Sequence, residues 1–159
     1  MKVLNVHKRI IHASKSEVAE LMRTLATKDD KVWPHEKWPA MKFKDGIQVG
    51  NKGGHGPIRY SILQCIPGEF IEFEFSKESG FNGTHCLKIT AVETNKTEMK
   101  HIIEMNPKWK AILPWILGIR WLHDALIEDA FDKVYNHFSG TSVSSEWNLW
   151  VRILRKVLK

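Results

Sequence analysis

The sequence predicts an α+β domain in which a curved antiparallel β-sheet wraps around a long C-terminal helix, with a short helix after the first strand. Three observations carry this expectation. Apolar and polar residues alternate in several segments between 57 and 106, joined by short turns. Beyond "NPKW" the apolar spacing changes to the helical period. Between the first strand and the sheet-rich middle, Ser14 stands three residues before Glu17, the spacing of a capping box.

In chain order, residues 3–12 mix β-branched and polar residues and read as a strand. Val18, Leu21, Met22 and Leu25 then recur at helical spacing, which predicts a short amphipathic helix over 15–26. "KDDKVWPHEKWPAM" carries Pro34 and Pro39, which break regular structure, beside Trp33 and Trp38, which favour burial. It reads as an irregular, anchored, lid-like segment. "GNKGGHG" lacks the lysine and helix start of a phosphate loop and reads as a tight turn between strands.

Ile58, Tyr60, Ile62 and Ile66 share one parity of the next strand, with Arg59 and Ser61 on the other. After a turn at "PGE", Ile71, Phe73 and Phe75 oppose Glu72 and Glu74, as in a half-buried strand with its glutamates in water. "FNGT" has the Asn-Gly of a hairpin turn. Two more strands follow at 84–93 and 97–106, joined by "ETNKT". His85, Leu87, Ile89 and Ala91 share a face on the first; Met99, His101, Ile103 and Met105 do so on the second.

Pro114 suits a first helical turn, and residues 115–138 would span about 36 Å at 1.5 Å per residue. Trp115, Ile119, Leu122, Leu126 and Ala130 share a face, flanked by Ile116, Ile127 and Val134. His123 falls within this apolar arc. Asp124, Glu128 and Asp132 form a stripe expected to face solvent. "SGTSVSS" has the composition of a flexible linker. In "EWNLWVRILRKVLK", Trp147, Trp150, Val151, Leu154, Val157 and Leu158 gather on one side, with Arg152, Arg155, Lys156 and Lys159 opposite. The organisation expected is a domain over 1–139, a linker over 140–144 and a basic amphipathic helix over 145–159.

The net charge of +6 favours acidic partners in general. The cations are scattered, without an RNA-binding aromatic motif or zinc-finger spacing, so no nucleic-acid partner is expected. Cys65 and Cys86 form no C-x-x-C pair and read as small hydrophobic residues. His7, Lys8 and Arg9 interrupt any signal-peptide core, so the expected location is cytoplasmic, peripheral to a membrane if the terminal helix binds one.

This order of elements resembles the helix-grip fold of the START-like, or SRPBCC, superfamily of polyketide cyclases, lipid-transfer domains and plant pathogenesis-related allergens. The resemblance rests on "RIIHASKSEV" at 9–18, "GHGPIRYSILQCIPGEFIEFEF" at 54–75 and "WLHDALIEDAFDKV" at 121–134, and covers about residues 3–138. It implies a deep cavity between the sheet and the C-terminal helix for an apolar small molecule such as a lipid or polyketide. Some members are enzymes and many are binders. The superfamily has no universal catalytic residue, so none is carried over.

The inward histidines His85, His101 and His123 are the sharpest chemical feature. They fit three roles: structural residues bonded within the protein, groups orienting a ligand's polar end, or acid–base groups. Tyr60 would add a hydroxyl, and Trp33, Trp38, Phe73 and Trp115 aromatic walls. H-E-x-x-H spacing is absent, and neither metal nor cofactor is expected. The leading expectation is a binder of a hydrophobic or aromatic small molecule. The alternatives are a cyclase- or hydratase-type enzyme using an inward histidine or tyrosine, and a lipid-handling protein. The terminal helix would dock on its own domain, contact a second copy, or lie on a membrane surface.

Overall fold

A computed structural model describes residues 1–76 and 80–158. The strands are β1 (Val3–Ile11), β2 (Lys42–Phe43), β3 (Lys52–His55), β4 (Ile58–Ile66), β5 (Phe70–Phe75), β6 (Phe81–Glu93) and β7 (Lys96–Pro107). They form one antiparallel sheet in the order β1-β7-β6-β5-β4-β3-β2. The sheet curves without closing and grips a long C-terminal helical run, the α+β arrangement expected.

Helix α1 (Lys15–Met22) opens with the capping box: Glu17 N–H donates to Ser14 Oγ, and Ser14 N–H donates to Glu17 Oε2 at 2.9 Å. Val18, Ala19, Leu21 and Met22 are buried. The irregular segment that follows buries Trp33 and Trp38. Asp30 holds its start by accepting from the backbone N–H of Ala26, Val32 and Trp33.

Four local expectations are corrected. The glycine-rich stretch contains β3, which pairs with both β2 and β4. "FNGT" is no turn, because Phe81–Thr84 open β6 opposite Glu104–Pro107. Gly83 is required there by packing: a Cβ would collide with the carbonyl oxygen of Glu104. A bulge between Ile62 and Gln64 shifts the register of β4, so Ile66 turns outward and is exposed. Ala91 lies beyond the gripped part of β6 and is also exposed.

The long helical run starts earlier than Pro114. Helix α2 (Trp109–Pro114) leads into a π-helical turn at Trp115–Ile119, and α3 (Arg120–Ser139) continues from it. Proline lacks the N–H that would meet the Lys110 carbonyl, and the wider turn follows this gap in the ladder. Helix α3 ends at Gly140, whose φ of 65° lies in the left-handed region.

The acidic stripe does not face water. Asp124, Glu128 and Asp132 meet the inward row Asn5, His7 and Arg9 of β1. Asn5 donates to Asp124 at 2.9 Å, His7 bridges Asp124 at 3.1 Å and Glu128 at 2.7 Å, and Arg9 bridges Glu128 and Asp132 at 2.8 Å each. Two residues along a strand advance about 6.8 Å and four along a helix about 6 Å. The rows therefore stay in step over three rungs.

Helix α4 (Leu149–Val157) packs on the rest of the chain through buried Val151, with Asn148 as its N-cap. The preceding stretch is hydrogen-bonded along its length. Asn136 engages Thr141 and both the N–H and the carbonyl of Val143, and Asp132 takes the N–H of Ser145. Polar composition suggested a loose linker; side chains of α3 hold it. Among the described residues, no helix is long and apolar enough to cross a membrane.

Candidate functional site

The concave face of the sheet, the irregular segment and the helical run enclose a cavity of about 390 Å³, within the usual range for small-molecule sites. Trp33, Trp38 and Met41 wall it from the irregular segment. Phe73, Leu87, Met99, Ile103 and Met105 line it from the sheet, and Trp115, Leu122, Leu126 and Phe131 from the helical run. The period-two inward rows of β5, β6 and β7 and the apolar arc of α3 produce this surface.

Polar groups enter mainly as imidazoles. His85 of β6, His101 of β7 and His123 of α3 all reach the cavity. His85 Nδ1 and His101 Nε2 are 3.3 Å apart, so one N–H donates to the other's lone pair. The rings of His101 and His123 are 5.0 Å apart between centres. The outer nitrogens of the pair, His85 Nε2 and His101 Nδ1, have no hydrogen-bond partner, nor does either nitrogen of His123. Burial pushes His85, His101 and His123 below the usual imidazole value, and neighbouring histidine charges add to this. Asp124 partly offsets the effect at His123, with its Oδ1 3.5 Å from Nδ1. All three rings are therefore neutral near pH 7, and each offers one donor and one acceptor.

His7 behaves in the opposite way. Its burial also disfavours the charge, but hydrogen bonds to Asp124 and Glu128 prevail and raise it to about 9. For Asp124, the nearby His123 imidazole and hydrogen bonds from His7 and Asn5 outweigh a burial that would raise it, and it stays well below the usual carboxylate range. A charged layer thus lies behind the cavity wall at α3, and a neutral layer faces the cavity. His7, His123 and Asp124 place ligand atoms within 4.8 Å of one another, close enough for a metal ion. A protonated His7 has no lone pair to offer, so the trio suits ion pairing better.

Of the sequence-predicted residues, Trp33, Trp38, Phe73, His85, His101, Trp115 and His123 line this one cavity. Tyr60 does not. It lies behind the wall, edge-on to Phe73 and His85, with its hydroxyl 3.0 Å from His55 Nδ1. Its phenol is pushed up by burial.

Sequence reasoning missed His55, which lines the cavity from the end of β3 and is held down to about 3 by burial. Reading the glycine-rich stretch as a strand would have exposed its inward parity. Arg155 and Leu158, from the terminal segment, also reach the lining.

Asp129, placed at the apolar boundary by its helical position, is a structural anchor. It accepts from Lys37 Nζ at 2.7 Å, Trp38 Nε1 at 2.8 Å and Trp147 Nε1 at 2.9 Å. One carboxylate thereby ties the irregular segment and the C-terminal segment to α3. Arg155 adds to the joint, its guanidinium 4.3 Å from the centre of the Trp38 ring.

No protein-family profile and no curated protein matches the sequence. Solved structures do match in shape. Norcoclaurine synthase of Thalictrum flavum, solved with dopamine and hydroxybenzaldehyde, superposes with a TM-score of 0.64 at 11% identity, covering 90% of each chain. A protein of Thermobifida fusca gives 0.64 at 9% identity, covering 91% of this chain and 99% of its own. The XoxI protein of Bacillus cereus gives 0.61 at 14% identity, over 86% and 96%. The fold is therefore the Bet v1/SRPBCC-like helix-grip fold. At these identities the likeness extends to fold alone.

Proposed function

We propose that this protein binds a hydrophobic or aromatic small molecule that carries a hydrogen-bonding group at one end. The observation that carries this reading is the imidazole set of His85, His101 and His123, which brings unpartnered ring nitrogens to a cavity otherwise walled by aromatic and aliphatic side chains. Buried polar atoms without partners are costly, and a ligand hydroxyl, carbonyl or carboxyl would relieve that cost. Burial of about 400 Å² of apolar ligand surface would contribute up to about 10 kcal/mol before association costs. Shape would supply affinity, and the imidazoles would select the polar end. The ligands named for norcoclaurine synthase, aromatic rings with polar substituents, are of the kind such a cavity would take.

Native mass spectrometry of freshly purified protein would show a retained ligand. His123→Leu should release that ligand while the protein keeps its circular dichroism and melting temperature. Unchanged retention in a folded His123→Leu protein would refute the assignment.

A second reading is favoured by the contact between Asp124 and His123. A neutral imidazole facing a largely apolar cavity, with a carboxylate behind it, is the arrangement of a general base. Under this reading a cyclase- or hydratase-type reaction takes place in the same cavity. His123→Gln would then abolish turnover of the retained compound while leaving its affinity within a few-fold.

A further inference from the structure

Helix α4 shows the rest of the chain only one of its sides. Val151 is buried, whereas Leu149, Ile153 and Val157 face away, Leu149 and Val157 at 73% and 75% exposure. Trp150 lies at the border, half-exposed, with its Nε1 donating to the Leu117 carbonyl at 2.8 Å. That bond sets α4 beside the α2–π segment, whose own apolar residues Trp109, Leu113, Ile116 and Leu117 are also exposed. Through Trp150 two amphipathic segments lie beside each other, each with uncovered apolar side chains.

The charge along these segments is mostly of one sign, with Arg120 meeting the Asp124 carboxylate at 3.7 Å just past the π-helical turn. From Pro107 to His123, and from Trp147 to Leu158, there is no carboxylate. The same stretches carry exposed Lys108, Lys110, Arg120, Arg152 and Lys156, while Arg155 turns inward onto Trp38. Lys110 lies 5.4 Å from the ring centre of Trp109, and the Arg120 guanidinium 5.8 Å from that of Trp121. Indoles beside cations, bordering exposed aliphatic side chains, match the chemistry of a bilayer interface, where indoles favour the headgroup level and cations meet anionic lipids.

We infer that the α2–π–α4 surface docks on anionic lipid bilayers, with its aliphatic and indole side chains in the interface and its cations on the headgroups. A second copy of the chain fits less well: a two-fold contact of this surface with itself would set cations against cations. Nucleic acid would leave the aliphatic residues unburied. Arg155 and Leu158 line the cavity from the same C-terminal segment, so docking would bring one wall of the cavity close to the bilayer. The inference goes beyond ligand binding and does not depend on it.

The test is sedimentation of the full chain with vesicles of phosphatidylcholine alone and of phosphatidylcholine containing phosphatidylglycerol. Wild type should pellet with the anionic vesicles, and less so as salt rises. Leu149→Asp combined with Ile153→Asp should lower the bound fraction at least tenfold, with an unchanged melting temperature because both side chains face away from the fold. Lys110→Gln with Lys156→Gln should weaken the preference for anionic vesicles. Wild type left in the supernatant, or the double aspartate variant pelleting as wild type does, would overturn the inference. So would a dimer in sedimentation equilibrium that the double aspartate variant converts to monomer, since the surface would then belong to a second copy.

Discussion

His7 should make the stability of this protein fall as pH rises through the mildly alkaline range. Its imidazole is bonded to Asp124 and Glu128, its side chain is 13% exposed, and it is raised from 6.5 to about 9. A group that holds its proton more tightly when folded stabilises the fold while it is protonated in that state. The contribution is fully present below about pH 6.5 and is lost as pH climbs to about 9. At 1.36 kcal/mol per pH unit, the interval corresponds to about 3 kcal/mol, an upper figure because the two carboxylates also share Arg9 and Asn5.

The assay is urea unfolding of wild type and His7→Gln at about pH 6 and about pH 9.5. Glutamine retains a donor but cannot titrate, and subtracting the two proteins removes the titration of lysines and tyrosines. The wild-type advantage should be large at the lower pH and should shrink by roughly 2–3 kcal/mol at the higher. A difference independent of pH would refute the claim that a protonated His7 links β1 to α3.

Three further outcomes follow from the same structure. Asp129→Ala strips the partner from Lys37, Trp38 and Trp147. It should cost about 3–5 kcal/mol in urea unfolding and increase protease cutting of the irregular segment. Gly83→Ala drives a methyl group into the β7 backbone. It should destabilise by about 1–3 kcal/mol, read as a lower urea midpoint with the same slope. Ala130 lines the cavity from α3, so Ala130→Phe should fill it. Thermal stability should rise by about 1 kcal/mol while the ligand seen by native mass spectrometry disappears.

The fold was legible because its signals are local. Alternation in "EFIEFEF", helical spacing after residue 108 and the Ser14–Glu17 box each depend on neighbours a few positions away, and each corresponds to an element of the structure. "FNGT" misled because an Asn-Gly pair serves a turn equally well as a crowded strand. The crowding comes from Glu104, twenty-one residues beyond Gly83. The bulge that turns Ile66 outward is likewise invisible in a hydrophobic pattern, since it depends on how β4 pairs with β5.

The candidate site divides along the same line. Periods of two and of 3.6, which follow from strand and helix geometry, marked most of the inward side chains in advance, Ile66 being moved outward by the bulge. His85, His101 and His123 were singled out on that basis. Tertiary packing alone brought these imidazoles to one cavity, stopped Tyr60 behind its wall and added His55 to the lining. It also decided the fate of the acids on α3. A row of carboxylates on a helix is, in sequence, indistinguishable from a solvated face. Here the row lies against Asn5, His7 and Arg9, more than a hundred residues away along the chain. That pairing leaves His7 charged while burial leaves the histidines of the cavity neutral, because the sign of a pKa shift depends on which charges and how much water surround a group in space.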